Sequence, residues 1–185
     1  MNSKKKIVVA ISAFALIIMA TIVSVVAVLA AQKVTITSSV SVSYTSVEVD
    51  GAFTAHYQVK NGTKTSIGSA TFQAEDSGTE ADPLLRDAGT ANGITLTSAN
   101  NHVDFIFTFT NTGSAAYTAT VTLPTTSSGL TVSYPTKPST MVSGSNTSFT
   151  VAGKTTTPVT YTVRYTISDV AINASLSGNF VWNLT

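Results

Sequence analysis

The sequence predicts an all-β fold, an antiparallel two-sheet β-sandwich of the immunoglobulin-like or jelly-roll kind, preceded by one N-terminal apolar helix. Three observations carry this. After residue 32 the apolar residues alternate with Thr and Ser at period two, the signature of half-buried strands. Turn signals separate these runs at intervals of often about ten residues, as in stacked hairpins. Before residue 32 there is a single uncharged apolar run.

The chain divides into a basic stretch 1–6, an apolar segment 7–31 and a body 32–185. From Ile7 to Ala31 there is no charge, no glycine and no proline, and only Ser12, Thr21 and Ser24 are polar. Twenty-five helical residues span roughly 37 Å, more than the roughly 30 Å of a bilayer's hydrocarbon. Lys4, Lys5 and Lys6 precede the run and only Lys33 follows closely, so the positive-inside bias leaves the N-terminus inside and the body outside. Two fates are open: a single-pass anchor in the cell membrane, or a signal peptide cleaved near Ala30 and Ala31 with secretion of the body. The length of the run and the lack of a helix breaker before that point favour the anchor.

Within the body, Val34, Ile36, Val40, Val42 and Tyr44 alternate with Thr and Ser, and Phe53, Ala55, Tyr57 and Val59 continue the rule. Val103, Phe105, Phe107 and Phe109 share one face, with Asp104, Thr108 and Thr110 on the other and Ile106 as the exception. Tyr117 to Leu123, Leu130 to Tyr134, Val159 to Ile167, and Phe180, Trp182 and Leu184 complete a set of eight to ten expected strands, with the Phe105 and Tyr161 strands central. Expected turns include Asp50-Gly51, Asn61-Gly62, Asn92-Gly93, Asn111-Thr112-Gly113 and Ser177-Gly178-Asn179.

Charge and chemistry narrow the function. The body carries 7 basic residues, scattered singly, and 9 acidic ones, which argues against nucleic acid. It has no cysteine, so packing alone holds it together, a habit common on prokaryotic surfaces. There is no Gly-x-Ser-x-Gly elbow and no phosphate loop, and the histidines are only two, so no enzyme activity and no cofactor is expected. His56, opposite the Phe53 and Tyr57 face, and His102, at the turn before Val103, read as exposed surface. Glu75, Asp76, Glu80, Asp82 and Asp87 crowd into thirteen residues. Oxygen ligands on such a loop would suit calcium, although the spacing is not that of an EF-hand and a solvated loop needs no ion. Leu123-Pro124-Thr125-Thr126-Ser127 lacks the glycine and the hydrophobic tail of a sortase signal and reads as a strand end and turn. Asn61, Asn146, Asn173 and Asn183 open Asn-x-Ser/Thr sequons, relevant only in a host that glycosylates.

The segment from Asp104 through Asn111-Thr112-Gly113-Ser114 to Pro124 resembles the strand–turn–strand unit of immunoglobulin-like domains in prokaryotic surface proteins. More broadly, a lysine-led apolar leader, an alternating strand and a late Asn-x-Gly-Ser turn resemble the TasA/camelysin group of exported β-sandwich proteins. That resemblance implies an extracellular fibre former. The protease activity ascribed to some of the group does not transfer, because the chain has no His-Glu-x-x-His.

Two functional classes follow. The first is a non-enzymatic structural or interaction protein of the cell envelope, serving display, adhesion or a fibre. It would contact the bilayer through segment 7–31 and self-associate through strand 34–44, which follows the leader almost without spacer. The second is an extracellular module binding carbohydrate or another small ligand, with Trp182, Tyr117, Tyr161 and Tyr165 as its aromatics. Their alternation points these four into the core instead.

Overall fold

The structure, a computed structural model, describes residues 34–44, 49–72, 84–127, 129–168 and 174–185. The apolar segment 7–31, Ala30 and Ala31, and the acidic residues Glu75, Asp76, Glu80 and Asp82 lie outside them, as does Asn173. The described residues form eleven strands and no helix: β1 (Val34–Tyr44), β2 (Gly51–Val59), β3 (Thr65–Phe72), β4 (Leu84–Leu96), β5 (His102–Asn111), β6 (Tyr117–Thr122), β7 (Thr125–Thr126), β8 (Leu130–Thr136), β9 (Ser148–Val151), β10 (Thr155–Ile167) and β11 (Ser175–Leu184).

They make two sheets. One runs β4-β1-β11-β6-β9, with β7 pairing the start of β11, and the other runs β3-β2-β5-β10-β8. The expected alternation is what closes them on each other. Phe105, Phe107 and Phe109 of β5 and Tyr161, Val163 and Tyr165 of β10 are fully buried, as are Ile36, Val40 and Val42 of β1 and Phe180, Trp182 and Leu184 of β11. Rings from the two sheets meet in this core. Phe107 lies 5.1 Å from Phe180 and 5.2 Å from Trp182, and Trp182 also packs on Phe53, Phe109, Phe149 and Tyr161. Tilted and edge-on ring pairs at these separations add to the burial itself.

Several expectations need correction. The pairing is not wholly antiparallel, because β1 and β11 run parallel over Thr35↔Ser175 to Tyr44↔Leu184. The described residues alone hold eleven strands, against the eight to ten expected. Asn92-Gly93 is not a turn but an irregularity inside β4, where the register against β1 shifts between Ile36 and Ser38. Ser177-Gly178-Asn179 likewise lies inside β11. There Gly178 has φ 110, a conformation side chains disfavour, at the point where β11 exchanges β7 for β6 as its partner. Asp87, counted with the acidic loop, belongs to β4 and pairs with Ser41. Leu130 to Tyr134 does form a strand, but β8 is outermost in its sheet and its Val132 is left 38% exposed.

One turn was legible and acquires a mechanism. Asn111 is fully buried, and its Nδ2 donates to the carbonyls of Ala115 (2.8 Å) and Val151 (3.3 Å). Its Oδ1 accepts from the Gly113 N–H at 3.0 Å. The side chain shapes the β5–β6 turn and also fastens β9 to it, satisfying backbone groups that would otherwise be buried unpaired.

Candidate functional site

The alternation that fills the core sets the opposite side chains of β2, β5 and β10 on the outer face of the five-stranded sheet. Register aligns Gln58, Asp104 and Arg164 in one row across these strands. Arg164 grips Asp104 with both arms of its fork, Nε donating to Oδ1 at 2.6 Å and Nη2 to Oδ2 at 2.7 Å. Such a two-point pair fixes both side chains. The hydrogen bonds to Asp104 also raise the pKa of the guanidinium, which is charged at any ordinary pH.

At the end of this row, Gln58, Lys60, Asn61, His102 and the Asp104–Arg164 pair line an open cleft of about 360 Å³. Lys60 is placed by its own N–H, which donates to the His102 carbonyl at 3.0 Å. Gln58 Nε2 donates to the Gly62 carbonyl at 2.9 Å and so braces the exposed Asn61-Gly62 turn, where Asn61 adopts φ 59. His102 Nδ1 lies 3.2 Å from Asn101 Oδ1. Partial burial lowers the His102 pKa, with Arg164 and Lys60 acting in the same direction and Asp104 opposing them. These influences favour the uncharged form of the ring. The cleft offers an imidazole, the Lys60 side chain and the remaining guanidinium N–H groups, a set suited to hydroxyls or a carboxylate.

Neither histidine is the freely exposed residue expected; both are half-buried. His56 lies opposite Ile106 and its Nδ1 is buried without a partner. Burial lowers its pKa, with Lys64 contributing. His102 sits four residues back along β5, about 13 Å away at strand rise, so the structure does not bring the two imidazoles together.

The four aromatics considered for a ligand platform are buried instead. Trp182, Tyr161 and Tyr165 have no exposure and Tyr117 has 3%. The Tyr161 hydroxyl donates to the Asn146 carbonyl at 2.5 Å and that of Tyr117 to the Thr110 carbonyl at 3.3 Å. Burial raises all three tyrosine pKa values. A second groove of about 430 Å³, where the segment after β8 passes the start of β10, is walled mainly by threonines and prolines with Lys137 as its one cation.

Leu123 to Ser127, expected as a strand end and a turn, begins just after β6 and holds a buried Pro124 and the short strand β7, which pairs with β11. Of the sequons, Asn61 is exposed at its turn, Asn146 accepts from Lys137 Nζ at 2.7 Å, and Asn183 lies in β11. Among the described residues no three His, Asp or Glu side chains gather as metal ligands would.

The Asp104–Arg164 pair is the part of the cleft that alternation could not announce. Asp104 was legible as facing away from the core, but its partner stands sixty residues later, and only register joins them. No protein-family model matches the chain, and no curated protein matches it. The likeness to exported β-sandwich proteins thus rests on the quoted residues alone.

Proposed function

We propose that the chain is a non-enzymatic, exported structural or interaction protein of the cell envelope. Its apolar segment 7–31 would anchor it in the membrane with the body outside, or be removed on secretion. The body is read as a two-sheet sandwich of immunoglobulin-like or jelly-roll plan, serving display, adhesion or a fibre. The observation that carries this reading is the place of β1. Two residues after the apolar segment the chain enters the interior of a sheet, between β4 and β11. A body joined so directly to its leader stands at the membrane surface if the leader remains. Self-association through residues 34–44 requires β1 to leave that place, because both its edges are already paired.

The test is an intact-mass determination on membranes and on culture medium, with protease added outside intact cells. Full-length protein in membranes, or a mass starting at Ala31 or Gln32 in the medium, supports export. Protein that stays in the soluble interior and survives external protease overturns it.

The polar cleft favours a second reading, a module that binds carbohydrate or another small ligand. Screening the chain on a glycan array beside Lys60→Ala tests it: a hit weakened at least tenfold by the substitution supports it, and an array without hits opposes it.

A further inference from the structure

We infer that β1 and β11 form a shear clamp, a seam that resists tension applied along the strands between residues 33 and 185. The inference rests on four features of one seam. First, the two strands are parallel, so the start of β1 and the end of β11 lie at opposite ends of the sheet. Tension applied at residues 33 and 185 runs along the strands and loads the whole ladder at once. The same tension on a hairpin would open its bonds one after another.

Second, the ladder is unbroken. Ten consecutive residue pairs join Thr35↔Ser175 to Tyr44↔Leu184 without a bulge, whereas the β1–β4 ladder shifts twice. Third, the serines of β1 add bonds across this seam. Ser38 Oγ donates to the Gly178 carbonyl at 3.0 Å and Ser43 Oγ to the Trp182 carbonyl at 3.2 Å, while Ser39 Oγ donates to Asn179 Oδ1. Ser38 is buried, and its hydroxyl finds its partner in the carbonyl of Gly178, the residue it faces in the register.

Fourth, the strands cannot creep. A slip of one residue would turn Ile36, Val40 and Val42, or Phe180, Trp182 and Leu184, from the core to solvent. The next acceptable register lies two residues away, beyond the rupture of every bond. β4 on the far side of β1 must shear at the same time, because β1 lies between the two. That the load arises in life rests on the display reading, but the clamp belongs to the folded body and is measurable whichever way the leader is processed.

The chain contains no cysteine, so introduced thiols are unique attachment points. The full chain in detergent micelles would be pulled in an optical trap or force microscope through Lys33→Cys and Thr185→Cys. A second attachment, through Lys33→Cys and Ser175→Cys, holds the same ends of β1 and β11 and peels them apart. The clamp predicts a rupture force at least twice as high in the first geometry. It also predicts that Ser38→Ala with Ser43→Ala lowers the first force while leaving the second nearly unchanged. Equal forces in both geometries would overturn the clamp and leave the export reading untouched. Circular dichroism of each variant beforehand confirms that the folded body is what is being pulled.

Discussion

β1 and β8 are written in nearly the same alphabet, Val-Thr-Ile-Thr-Ser-Ser-Val-Ser-Val-Ser-Tyr against Leu-Thr-Val-Ser-Tyr-Pro-Thr, yet the fold uses them differently. β1 is paired on both edges and sends Ile36, Val40, Val42 and Tyr44 fully into the core. β8 has one partner, its register to β10 shifts between Thr162 and Arg164, and Val132 remains 38% exposed. Alternation therefore states which side chains share a face. How deeply that face is buried depends on what covers it: β9 is outermost too, yet its Phe149 and Val151 are fully buried, with Phe149 packed on Phe109 and Trp182.

The largest expected effect falls where the two-sided strands meet the aromatic core. Trp182→Ala removes the ring that five aromatic neighbours surround and should cost about 3–5 kcal/mol, read from urea unfolding followed by circular dichroism. A cost under about 1 kcal/mol would mean that the two sheets do not meet through this residue.

Next comes Asn111→Ala, which should cost about 2–3 kcal/mol, because the Gly113 N–H and the Ala115 and Val151 carbonyls lose their partner in a buried place. β9, outermost in its sheet, is held by this side chain as well as by its ladder to β6, so hydrogen exchange at Phe149 and Val151 should accelerate more in this variant than at Val40 and Val42.

The direct contrast is Val42→Ala against Val132→Ala. The first should cost about 2 kcal/mol and the second under about 0.5 kcal/mol, measured by thermal or urea unfolding. Equal costs would show that β8 is as well covered as β1 and would remove the contrast.

The smallest effect is one of pH. Burial lowers the pKa of both His56 and His102, so the unfolded chain binds more protons than the folded one below the unperturbed value near 6.5. Stability should be fully present above that pH and decline as pH falls through it toward the folded-state values. His56→Gln with His102→Gln should flatten the decline between about pH 6.5 and 5. An unchanged slope would place both imidazoles in free solvent.

The sequence was most legible where large apolar residues alternate over many positions, as in β5 and β10, whose inward and outward faces both came out as read. It was least legible where small residues carry a strand. β3 and β4 offer Gly68, Ala70, Gly89 and Ala91 in place of bulky side chains, because these two outer strands approach so closely that a Cβ on Gly89 would collide with the Ile67 carbonyl. A glycine needed for such contact looks, in sequence, like a glycine needed for a turn. Gly93 and Gly178 misled in the same way, since strand neighbours override local turn preference. Alternation also carries no information on which strand lies beside which. The parallel β1–β11 pair and the Asp104–Arg164 pair were both invisible for that reason.

The central claim is that β1 lies beside β11 of its own chain, in parallel and in register. Introducing cysteines at Ser39 and Asn179, a facing pair in that register, and oxidising dilute protein tests it most directly. The account predicts rapid closure of a disulfide within one chain, detected by intact mass, with far slower closure for Ser39 paired with Ser175. Failure of the 39–179 pair to close, or closure only between chains, would contradict it.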